Sequence, residues 1–156
     1  MAEAVRSSTM LRAEGPASRW CGPVDVLGTW KLVAYASPHT SRRPDAPYRY
    51  PYQLFQFAKD GVLRSAHSMA AFGEPSDVVL ARIPNSLEYH LATARQGLLA
   101  VKAQGSPTVA ERWQCRVLTI DQIDLVHRRI LRRGDLVLTL QGNTGQPLFT
   151  RHLRKS

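Results

Sequence analysis

Cysteine is scarce in this chain, with two residues in 156, Cys21 and Cys115, far apart and in no Cys-x-x-Cys arrangement. That spacing excludes the usual zinc and redox motifs. Long apolar runs are missing as well: no stretch approaches the roughly 20 consecutive apolar residues that cross a bilayer, so no transmembrane segment is expected. No internal repeat is visible, which excludes a propeller. Acidic residues are the minority, 12 against 21 Lys and Arg, and the formal net charge is +9. This excess raises nucleic acid, acidic lipid or an acidic ligand as partners. The arginines are dispersed, however, with only Arg42-Arg43, Arg128-Arg129 and Arg132-Arg133 as local pairs, and the favoured reading is a solvated basic surface. No two histidines have a spacing suited to a metal, so no metal site is expected, and no cofactor is read from the sequence.

The first residues carry Glu3 and Arg6 and lead into polar positions rather than an apolar run, so no secretory signal is read. The expected location is the cytoplasm, with both cysteines as reduced thiols. The length suits one domain. Residues 1–24 mix Ala, Glu, Ser, Arg, Gly and Pro without a period and read as a flexible leader, which leaves 25–156 for the packed domain.

Within that domain apolar residues recur at every second position, as half-buried strands require. Leu27 to Ala36 places Trp30, Leu32 and Ala34 on one face. Pro38, Pro44, Pro47 and Pro51 then make a loop, because proline cannot donate to a ladder. Tyr48, Tyr50 and Tyr52 alternate at its end, which fits equally a lid of amphipathic aromatics over an opening and a loop packed against its own barrel. Lys59-Asp60-Gly61 reads as the turn of a hairpin between Tyr52–Ala58 and Val62–His67. Residues 68–84 fit either a short helix or an irregular edge strand. Val109 to Leu118 sets Trp113, Cys115 and Val117 opposite Arg112, Gln114 and Arg116, and Ile123 to Leu131 reads as one further strand. Eight to ten short strands, mostly hairpin-linked and with no long crossovers, imply an all-β fold, an antiparallel up-and-down meander either closed into a barrel or folded into a sandwich; closure is favoured because it leaves no edge open.

Leu27-Gly28-Thr29-Trp30-Lys31-Leu32-Val33 resembles the first strand of the lipocalin and fatty-acid-binding-protein superfamily, and Phe149-Thr150-Arg151-His152-Leu153 resembles its last strand. The small bacterial lipocalin-like families are the nearer resemblance, since the segment after the first strand is Pro-rich and Leu153 replaces the Tyr that fatty-acid-binding proteins carry. The resemblance implies a lipocalin-like barrel whose floor is sealed by Trp30 against Arg151, a guanidinium stacked on an indole.

By parity Tyr89, Trp113, Cys115 and His127 fall on apolar faces and, with Tyr52 near the loop, are the candidate ligand contacts. His127 is the candidate polar anchor or general base, because a buried imidazole needs a hydrogen bond or must stay neutral. His67 and His90 are expected at the barrel mouth or exposed, and Cys115 is expected to act as a small buried hydrophobe. The favoured function is binding of a hydrophobic or amphipathic small molecule inside the barrel. An isomerase, cyclase or hydratase using the same pocket is the alternative enzyme reading. A basic module binding nucleic acid or an acidic protein is the third reading; no nucleic-acid motif accompanies the basic residues, so nucleic acid ranks last among the partners.

Overall fold

A computed structural model describes residues 17–36, 50–84, 86–92, 96–125 and 128–156. Its strands are β1 (Ser18–Trp20), β2 (Gly28–Ala36), β3 (Tyr52–Phe57), β4 (Val62–Ser68), β5 (Leu87–Ala92), β6 (Leu98–Ala103), β7 (Glu111–Leu118), β8 (Gln122–Asp124), β9 (Arg129–Leu131), β10 (Leu136–Gln141) and β11 (Pro147–Lys155); one short helix, α1, covers Ser76–Ala81. No helix among the described residues is long and apolar enough to cross a membrane.

The strands β2 to β7, β10 and β11 pair in sequence order, every pair antiparallel, and β11 returns to β2 to close an eight-stranded up-and-down barrel. This is the all-β architecture that the alternation implies. The Asp60-Gly61 turn forms as read. Gly61 takes a positive φ of 88°, Ala58 N donates to Val62 O at 3.0 Å, and the Asp60 carboxylate accepts from Val62 N at 3.1 Å. The helical reading of 68–84 prevails: α1 lies outside the wall, and its fully buried Leu80 covers Leu54 and Ala66 on the outer faces of β3 and β4.

Three sequence expectations are corrected. The first concerns residues 17–24, assigned by composition to the leader. Here β1 extends the wall by pairing with the distal half of β7, Ser18 opposite Leu118 and Trp20 opposite Arg116. The second concerns the cysteines, which are joined as a Cys21–Cys115 disulfide with Cα atoms 5.4 Å apart, not held as thiols. A separation of 94 residues gives no motif to read. Disulfides persist in oxidising surroundings, so the bond weighs against the cytoplasmic expectation. The third concerns Ile123 to Leu131, which is not a wall strand. Its described parts are β8 and β9, which pair with each other as a two-stranded ribbon outside the barrel sheet.

One end of the barrel is plugged. The chain from Cys21 to Leu27 turns there, Val26 is fully buried beside Trp30, and the Trp30 indole donates to Val26 O at 2.8 Å. Gly28 takes φ 117°, a conformation that L side chains rarely adopt, and a Cβ there would stand 2.5 Å from Lys155 Nζ. The glycine of the Gly-x-Trp element is thus required by its backbone conformation, while the Lys155 ammonium, at the end of a flexible side chain, could move aside.

Candidate functional site: a polar-lined cavity in the open half of the barrel

Above the plugged end the interior is not filled. A cavity of about 180 Å3 is walled by Phe55, Phe57, Leu63, Leu87, Leu99, Val101, Trp113 and Leu138, with Ser65, His67, Glu111 and Arg151 as its polar members. The apolar wall follows from strand parity: Phe55 and Phe57 on β3 face Ser65 and Leu63 on β4 across the hairpin register. On β7 the half-buried Glu111 and buried Trp113 share the inner face, and the Trp113 indole donates to Glu111 Oε1 at 3.1 Å.

Arg151 is the central cation. It is buried on the inner face of β11, with Cζ 4.8 Å from the Phe55 ring centroid, 4.8 Å from that of Trp113 and 5.6 Å from that of Phe149. Aromatic faces attract a guanidinium, and weak hydration makes Arg the cheaper cation to enclose. The expected pairing of Arg151 with Trp30 is therefore corrected. Lys155 holds that place, with Nζ 4.5 Å from the Trp30 ring centroid and donating to Leu27 O at 2.5 Å. The reason lies in the register. Lys155 stands opposite Trp30 and Arg151 opposite Tyr35, with a bulge at Val33 between them.

His67 enters the same cavity from β4. Its ring meets Phe55 edge-on at 5.9 Å, and its Nε2 is buried with no hydrogen-bond partner among the described residues. Burial, reinforced by the charge of Arg151, pushes its pKa down to about 4, so it is a neutral imidazole near pH 7. Sequence reasoning placed His67 at the mouth or exposed because it stands at the end of the hairpin. The usable signal was the hairpin register, which sets His67 opposite Gln53 and on the face of Leu63 and Ser65.

Of the other candidates, only Trp113 lines the cavity among the described residues. Cys115 is consumed by the disulfide. The half-buried Tyr89 seals the wall, its hydroxyl donating to Ala58 O at 2.6 Å and its ring edge-on to Phe57 at 5.0 Å. Tyr52 is exposed at the rim, and His90 is exposed. His127 and Tyr48 lie outside the described residues; the segments flanking His127 belong to the ribbon, whose apolar face turns to solvent.

A second polar cluster, also missed in the sequence, sits outside the wall. His152 is fully buried and its Nε2 lies 2.6 Å from Asp135 Oδ2, while Arg154 reaches the same carboxylate at 2.9 Å and Ile130 O at 3.0 Å. Burial alone would raise the Asp135 carboxyl, but hydrogen bonds from Arg154, the Arg132 amide and His152 outweigh it and lower its pKa. Burial, joined by the charges of Arg129 and Arg154, lowers the His152 pKa despite the raising effect of Asp135. The arrangement is a neutral imidazole on a carboxylate, tying the ribbon to the barrel. Among the described residues no group of His, Cys, Asp or Glu is arranged to hold a metal ion.

Comparison with protein-family models, with curated proteins and with solved structures finds no match for this chain.

Proposed function

We propose that the barrel binds a small amphipathic molecule in this cavity, apolar body against Phe55, Leu99, Val101 and Leu138, polar end toward Arg151, His67 and Ser65. The observation that carries the reading is the convergence of a buried cation and an unpartnered imidazole nitrogen on a largely apolar space whose other polar members are Ser65 and Glu111, the latter engaged by the Trp113 indole. Apolar burial supplies affinity at roughly 25 cal/mol per Å2, and the few polar groups fix orientation. The resemblance of the first strand to lipocalin-like proteins supports the same use of the interior.

Size narrows the ligand. An apolar cavity of roughly 150 Å3 holds a benzene molecule, so a space of about 180 Å3 suits a single ring or a short chain. Long acyl chains and folded polyenes exceed it. Arg151 favours an end that accepts hydrogen bonds, since charge-assisted bonds are the stronger ones.

A two-dimensional NMR titration with benzoate and with benzyl alcohol tests the reading. Shift changes should concentrate on the Trp113 indole, the His67 ring, Ser65 and Leu99, with benzoate binding the tighter. Changes confined to outer grooves, or none at millimolar probe, would refute it.

A further inference from the structure

The ribbon β8–β9 is amphipathic the wrong way round. Ile123 and Ile130 stand directly opposite each other, hence on one face, and are 62% and 58% exposed; Leu125, two residues beyond Ile123, is 71% exposed, and Ile120 in the preceding bend is 55% exposed. The other face carries Asp124 opposite Arg129, an ion pair at 3.2 Å whose side chains are only 14% and 16% exposed. A ribbon shaped by folding alone turns its aliphatics inward and its charges to water, because both burial terms favour that choice. Here both terms are spent in the opposite sense, so the exposed face is fitted to something other than water.

The surroundings of the patch identify its occupant. Arg128, Arg132 and Arg133 are exposed at the same ribbon, and the whole chain carries +9. A stable protein partner needs about 800 Å2 from each side, whereas four aliphatic side chains present roughly a few hundred. A bilayer surface asks for no shape complementarity: a few aliphatics enter the acyl boundary while adjacent basic side chains meet phosphates. We propose that the β8–β9 ribbon docks this protein on a membrane surface bearing anionic lipid, with Ile120, Ile123, Leu125 and Ile130 inserting and the three arginines at the headgroups. The ribbon is tied to the barrel through Arg154, which reaches both Ile130 O and Asp135, and none of its described residues lines the cavity.

Vesicle flotation of the full chain tests this, using phosphatidylcholine vesicles with and without about one-third phosphatidylglycerol. Anionic vesicles should capture the protein about tenfold better than neutral ones, and high salt should erode the preference. Ile123→Ser with Leu125→Ser should lower capture about tenfold without moving the melting temperature, since both side chains are already in water. Arg128→Gln, Arg132→Gln and Arg133→Gln together should remove the anionic preference. Equal capture of the serine variant, or no capture of the parent chain, overturns the proposal. A dimer seen by size exclusion and broken by the same serine substitutions overturns it too, by making the patch a protein interface.

Discussion

Two cations on β11, four residues apart and on one face, hold contrasting positions in the same barrel. Lys155 lies over Trp30 at the plugged end, with its ammonium on the Leu27 carbonyl and its side chain partly in water. Arg151 is buried among Phe55, Trp113 and Phe149 beside unfilled space. Both are cation–π contacts, yet the first ends in a closed seal and the second faces a cavity. Lys is a strongly hydrated point charge that suits a wet rim, whereas Arg tolerates enclosure and presents several donors. A shared interaction type therefore says little about role; what lies beyond the cation decides it.

The contrast can be broken at several strengths. Trp30→Ala removes the indole that fills the plugged end and should cost roughly 3–5 kcal/mol in chemical denaturation. Replacing both cysteines by serine removes the covalent tie beside the β1–β7 ladder and should cost about 2–4 kcal/mol, read the same way. Neither change should alter which residues a bound probe touches.

The open half should respond to pH instead. The unfolded chain protonates His67 near 6.5 and the fold only near 4, so between those values the unfolded chain binds more protons. The stability that His67 contributes is whole above pH 6.5 and is lost as pH falls toward 4. The loss should be roughly 1–3 kcal/mol once screening at a half-buried site is allowed for, and His67→Gln should flatten that part of the slope. Arg151→Met should weaken benzoate about tenfold while changing benzyl alcohol less, as calorimetric titration would show. Lys155→Met is the smallest change, about 0.5–1 kcal/mol of stability and none of affinity.

Much of the barrel was legible in the sequence because a closed meander needs only alternation and turns, and Asp60-Gly61 supplied the clearest turn. Its inner geography was less so. Parity places Arg151 and Lys155 on one face but not at one height, and the bulge at Val33 separates the layer of Trp30 from that of Arg151. Parity also cannot say which face is inside. Ile123-x-Leu125 reads like Trp113-x-Cys115, yet one faces solvent and the other the core. The Asp135–His152 contact and the disulfide join residues that only the fold brings together.

Filling the cavity tests the central claim most directly. Ser65 lines the cavity wall, and Ser65→Leu adds apolar volume where space already exists. With benzoate affinity and melting temperature measured together, the account predicts a variant at least as stable as the parent that no longer binds. A variant that binds benzoate as well as the parent, or whose melting temperature collapses, would contradict an open, ligand-sized interior.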